Sequence, residues 1–193
     1  MFVFPAFDQT PAIAMSNILK LVLTLLIAVT VGVSGLWITG GKKAEYSTAL
    51  EIEGAPEVIF SYLTEPKRLK GWMTGLLMVG PFKVNEVTEL NTPHRETTLR
   101  LVAIDGQQVQ YQDDVIRFEQ DKAITVQSTN SSVVLTAIFR LEPTGDQTKL
   151  TYRVTTRNHG IGRLLAPLSK SSVQTRIESE IRNLKALVET PAS

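Results

Sequence analysis

The chain has 193 residues, room for one domain with a sizeable core plus an appendage. Lys+Arg 20 against Asp+Glu 19 leaves a formal net charge of +1, so no pull toward nucleic acid or any other polyanion is expected. With no cysteine and two distant histidines, His94 and His159, the sequence excludes disulfides, thiolate nucleophiles and cysteine-based metal sites, and no metal or cofactor is expected.

Residues 1–15 are expected to be a disordered tail. The stretch from Met15 to Lys20 is a more ordinary start than MFVFPAFDQTPAIA, so translation is expected to begin at Met15. Residues 16–41 then form an anchor. From Leu21 to Gly41 the chain carries no charge, and an apolar helix of about 20 residues crosses a bilayer core. Trp37 sits near one end, where an amphipathic ring suits the interface. Val33-Ser34-Gly35 and Gly40 are places a signal peptidase could accept. The apolar run is longer than a signal core, which favours an uncleaved single-pass anchor. Lys20 stands against Lys42 and Lys43, a bias too small to fix the side of the membrane on which the domain lies.

Residues 44–190 form one α+β domain. Tyr46, Thr48, Leu50 and Ile52 alternate with polar or small residues, the pattern of a strand with one buried face. Gly54-Ala55-Pro56 ends it, and Pro56 opens a short helix with Val58, Ile59, Tyr62 and Leu63 on its apolar side. Glu65-Pro66 breaks that helix, and Lys67–Trp72 makes a second. Strands are expected over Leu77–Glu89 (broken at Gly80-Pro81), His94–Ile104, Gln108–Glu119, Ala123–Thr129, Val133–Leu141 and Lys149–Arg157. The turns between them are short and polar, with Pro143–Gln147 as one loop. Such connections mean an antiparallel meander. A helix with apolar residues at steps of three and four closes the chain. Pro167 is expected to split off a leading segment. Arg176, Glu178, Glu180, Arg182 and Lys185 are expected on the polar face, with Glu178–Arg182 as an i,i+4 ion pair.

The stretches ALEIEGAPEVIFSYLTEP (49–66), LEPTGDQTKLTYRV (141–154) and the closing IRNLKALVE (181–189) carry a resemblance. The chain resembles the START-like, or SRPBCC, superfamily of helix-grip proteins, nearest its polyketide cyclase/dehydrase-type members. The resemblance implies a curved antiparallel sheet of about seven strands, two short helices after the first strand, and a long C-terminal helix over the sheet. Between helix and sheet it implies an apolar cavity. It is nearly silent on what the cavity does, because fold does not settle function.

Candidate cavity residues follow from the parity of the strands. Trp72 is a gate or a stacking wall, and Met73 and Leu77 are flexible or apolar walls beside it. Tyr111 and Tyr152 point inward with a hydroxyl each, and Phe139 shares the inward face of its strand. Arg100 is a candidate for a carboxylate or phosphate head, although apolar residues flank it on both parities. Arg117, with Asp113 and Tyr111, is the best polar set for acid/base work. For each, ordinary packing or a solvated face is the competing reading. Arg157, Arg163 and Lys170 make the region around His159 basic and are candidates to face anionic lipid. No catalytic residue is assigned. The expected function is binding of an apolar small molecule, lipid or isoprenoid-like, by a membrane-anchored domain. A cyclase/dehydratase-type enzyme and a protein-docking module are the alternatives. Side chains filling the interior would favour docking.

Overall fold

The computed structural model describes residues 17–80, 97–104 and 106–190. Its elements are α1 (Asn17–Gly40), β1 (Ala44–Glu53), α2 (Pro56–Thr64), α3 (Pro66–Trp72), β2 (Leu76–Val79), β3 (Thr98–Ile104), β4 (Gln107–Glu119), β5 (Ala123–Thr129), β6 (Val133–Thr144), β7 (Gln147–Asn158) and α4 (Gly162–Glu189). The tail 1–15 and the Met15 start lie outside the described residues, as do the expected strand positions 81–89 and 94–96.

All seven strands form one antiparallel sheet in the order β1-β7-β6-β5-β4-β3-β2. The consecutive strands β1 and β2 are therefore its two edges. The chain between them must cross the whole sheet, and α2 and α3 make that crossing under one face. Pro56 and Pro66 each stand at a helix start, where a missing N–H costs nothing. Their caps, Ala55 and Glu65, are extended, as a residue before proline must be. Two Pro-started helices in quick succession thus turn the corner beneath the curled sheet.

Helix α4 lies across the same face. Its C-terminal end is fastened to β1, where Glu189 accepts a hydrogen bond from the Glu53 N–H at 2.8 Å and Lys185 donates to the Glu51 carbonyl at 2.7 Å. Ile52, Ile59, Ile124, Leu150 and Leu184 pack the end of the molecule between α2, α4 and the sheet, all of them fully buried. Each such side chain is worth about 1.5–3 kcal/mol of burial.

Three expectations change. Strands β6 and β7 run to Thr144 and from Gln147, so the expected loop shrinks to a tight turn, with Gly145 at φ +62°. Helix α4 is continuous through Pro167. The proline removes only the N–H that would bond the Arg163 carbonyl, and that carbonyl is where Gly40 of α1 approaches so closely that a Cβ there would collide with it. Among the described residues Glu178 and Arg182 form no ion pair: Glu178 accepts from Gln174 Nε2 at 2.6 Å, and the α4 pairs are Arg176–Glu180 and Lys185–Glu189.

Helix α1 meets α4 at its C-terminal end, where Trp37 and Gly40 lie against Arg163. Leu19–Gly40 has mean hydropathy 2.4 and is long and apolar enough to cross a membrane, as a signal sequence near an N-terminus also would be. Its large side chains point outward, with Leu21 70% exposed and Ile38 69%. At the junction the Arg163 guanidinium lies 5.4 Å from the centre of the Trp37 ring.

Candidate functional site

Between α4 and the sheet lies a cavity of about 170 Å³. Like the roughly 150 Å³ apolar cavity that takes one benzene, it has room for a ring or the end of a chain, and a longer ligand extends out through its open side. Strand parity builds its walls. Arg100, Val102 and Ile104 of β3 face it, as do Tyr111 and Asp113 of β4. Register explains why these agree: Arg100 is opposite Tyr111, Val102 is opposite Val109, and directly paired residues share a face. Val126 and Ser128 of β5, Leu135, Ala137 and Phe139 of β6, and Tyr152 and Val154 of β7 continue the wall. Helix α4 supplies Val173, Arg176, Ile177 and Glu180, one stripe at steps of three and four.

The lid comes from α2 and α3 through Leu63, Leu69, Trp72 and the adjoining Met73. Trp72 is both wall and anchor. Its Nε1 donates to the Tyr62 carbonyl at 2.9 Å, and its ring meets Phe139 edge-on at 6.0 Å. Phe139 in turn stacks on Tyr152 at 4.3 Å. The three rings fix one side of the cavity in place.

The polar end is built from two ion pairs. Arg100 donates through Nε to Asp113 at 2.5 Å and through one terminal nitrogen to the other Asp113 oxygen at 3.2 Å and to Ser128 Oγ at 2.8 Å. The same guanidinium lies 4.9 Å from the Tyr111 ring centre. Burial pulls the Arg100 pKa down, but the Asp113 charge and hydrogen bond outweigh it, so the group stays cationic. On α4, Arg176 Nε donates to Glu180 at 2.9 Å and its terminal nitrogen to the Thr74 carbonyl at 2.6 Å. Glu180 is 2% exposed, and burial holds its carboxyl above the usual range despite Arg176. Burial also pushes the Tyr152 phenol far up, helped by the Glu180 charge, so its proton stays on. No hydrogen bond to another described residue occupies that hydroxyl, while Phe139 and the cavity flank its ring.

Of the sequence candidates, Trp72, Met73, Arg100, Tyr111, Phe139 and Tyr152 come together here. Two do not. Leu77 is 42% exposed on the edge strand β2. Arg117 lies on the outer face, paired with Glu119, because the sheet register shifts between Val115 and Arg117 and reverses the parity of β4. Phe118 takes the inward place instead, edge-on to Phe60 at 5.2 Å. Asp113, a candidate only as a partner of Arg117, is the buried acid of the site. Arg176 and Glu180, expected on the polar face of α4, line the cavity, and their spacing from Val173, Ile177 and Leu184 is what puts them on the inward stripe. Arg157 is exposed at the end of β7, and Arg163 is half-buried against α1. Lys170 lies on α4, outside the residues whose side chains are described. His159 is structural: its N–H donates to the Ser132 carbonyl at 2.9 Å, and its ring lies 3.1 Å from the Asn130 carbonyl. Among the described residues no group of acids and histidines could hold a metal.

The chain belongs to the family described as polyketide cyclase / dehydrase and lipid transport, whose model matches residues 43–189. No curated protein matches the sequence. Solved structures share the fold. A START superfamily protein from Mycobacterium smegmatis is 17% identical over 75% of this chain and 97% of its own, with a TM-score of 0.59. A protein of Thermus thermophilus is 17% identical over 75% of this chain and 97% of its own, at 0.58. The di-domain ARO/CYC StfQ from the steffimycin biosynthetic pathway is 15% identical over 88% of this chain and 58% of its own, at 0.59. Family and fold together support a hydrophobic ligand-binding cavity, as the geometry has it.

Proposed function

We propose that this protein is a membrane-anchored binder of a neutral, largely apolar small molecule, lipid- or isoprenoid-like, with a carbonyl or hydroxyl at one end. One observation carries the reading: both cations of the cavity are paired inside the chain, Arg100 with Asp113 and Arg176 with Glu180. Two cations and two carboxylates leave no surplus charge for a carboxylate or phosphate head. Binding such a head would mean breaking a buried pair, which is expensive. The Tyr152 hydroxyl, without a hydrogen-bond partner among the described residues, offers a neutral polar contact instead, within apolar walls. Arg100 is then a scaffold for that end of the cavity. The apolar helix α1 supports the anchor, because a tether holds the cavity beside the store of apolar ligands. The open interior is the opposite of what the docking alternative needs.

Native mass spectrometry of the full-length protein, released gently from its own membrane, tests the reading. A retained neutral mass of a few hundred daltons is expected, displaced by a long-chain ketone or alcohol at lower concentration than by the fatty acid of equal length. An empty protein that takes up none of the three at micromolar concentration refutes binding, and a preference for the acid refutes neutrality.

Glu180 favours a second reading, an acid/base enzyme of the cyclase/dehydratase kind acting on an aromatic or polyketide-like substrate. A carboxyl whose pKa is raised by burial beside a cavity is poised to exchange a proton with what the cavity holds. Under that reading Glu180→Gln abolishes turnover and leaves binding intact; under the first there is no turnover to lose, and the variant, with Arg176 left without its carboxylate, shifts its preference toward the fatty acid.

A further inference from the structure

The strands of the meander reverse direction at each turn, so successive connections alternate between two ends of the sheet. The β4–β5 turn, the β6–β7 turn and the C-terminus of α4 fall at one end, with the packed core of Ile52, Ile124, Leu150 and Leu184. The β3–β4 and β5–β6 turns, the β7–α4 turn and the α1–β1 junction fall at the other.

The cavity belongs to this second end. Ile104 is the last residue of β3, and Leu135 stands three residues beyond Ser132, in the β5–β6 turn. Val173 lies in the N-terminal half of α4. Helix α1 is seated at the same end, with Gly40 against the Arg163 carbonyl, Gly41 against its guanidinium and Trp37 beneath it. The exposed surface there has the composition of a lipid interface. Ile161 is 68% exposed on the β7–α4 turn. Lys42, Lys43 and Arg157 are exposed around it, and half-buried Arg163 lies beside them against Trp37. Glu45, the nearest described acid on β1, is taken by Arg153.

We infer that the cavity end of the domain rests on the bilayer, so that the cavity lies toward anionic lipid. The inference rests on the reading of α1 as a span and adds which way the domain faces. Arg157, Arg163, Lys42 and Lys43 meet the headgroups, and Ile161 dips among them. A ligand then passes between bilayer and cavity without crossing water.

The absence of cysteine makes the test direct. Single probes are placed through Ser131→Cys, on the β5–β6 turn, and Asp146→Cys, on the β6–β7 turn, both exposed positions. Twelve residues of β6 at roughly 3.3 Å each put about 40 Å between the two turns. The full-length chain carrying a fluorophore at either site is reconstituted in vesicles of phosphatidylglycerol and phosphatidylcholine containing a headgroup nitroxide, and flotation is scored beside quenching. Flotation with several-fold stronger quenching at Ser131→Cys supports the inference. Flotation with equal or reversed quenching overturns the orientation and leaves the anchor standing. A chain that fails to float with the vesicles removes the anchor, and the inference with it.

Discussion

Replacing Asp113 by alanine is the sharpest test of the view that Arg100 is held by the chain and not by a ligand. Arg100 and Asp113 have side chains 11% and 1% exposed and meet through two contacts. Removing the acid leaves a buried guanidinium with the Ser128 hydroxyl and the Tyr111 ring, neither of them a counter-charge, a change that costs roughly 3–5 kcal/mol. At about 2–4 °C per kcal/mol for a chain of this size, the melting temperature should fall by roughly 6–20 °C. The double replacement Arg100→Met with Asp113→Leu removes both desolvation penalties, and a well-packed apolar pair is often neutral or stabilising. It should melt near or above the wild type and still take up a neutral long-chain ketone. Thermal unfolding of the full chain in detergent, followed by circular dichroism, gives the three comparisons. A double variant that melts as low as Asp113→Ala or lower, or one that folds and no longer binds, would refute the reasoning and make the pair a reader of ligand charge.

Glu180 carries a pH signature. Its carboxyl titrates higher in the folded chain than the ordinary value of 4.5, so folding takes up a proton between the two values. The associated stability is present below 4.5 and is lost as pH rises through the raised folded value. Melting profiles should show wild type losing ground to Glu180→Gln over that interval, and parallel profiles would sink the claim. Ala137→Phe places a ring in the cavity and should cut ligand affinity at least tenfold in a displacement titration while the chain stays folded; unchanged affinity would mean the ligand lies elsewhere. Gly40→Val puts a side chain onto the Arg163 carbonyl and should uncouple α1 from α4. Spin labels at Val31→Cys and Ser172→Cys would then give a broadened distance distribution, where an unaltered one contradicts the contact.

The architecture is legible in the sequence because each connection leaves a physical mark. Gly54-Ala55-Pro56 and Glu65-Pro66 have few backbone options, and the short polar turns allow only antiparallel pairing. The site is legible where parity holds, as for Tyr111, Phe139 and Tyr152. Parity fails at Arg117 because a bulge shifts register without any residue that announces it. Arg100 is ambiguous because β3 is apolar on both parities, and only its pairing with Tyr111 selects a face. Arg176 and Glu180 escape for a different reason. Charge alone suggests a solvent face, whereas an i,i+4 pair flanked by Val173, Ile177, Ile181 and Leu184 already lies on the buried stripe.

The passage from α1 to β1 is three residues long, 41–43, which span about 10 Å at full extension. So short a leash, with Gly40 set against Arg163 at its root, keeps the domain close to the end of α1. With α1 in a bilayer, the molecule is a fixture of the surface and not a ferry. On the proposed function it would meet its ligand by sliding in two dimensions, and whatever receives the ligand would have to come to the same surface to collect it.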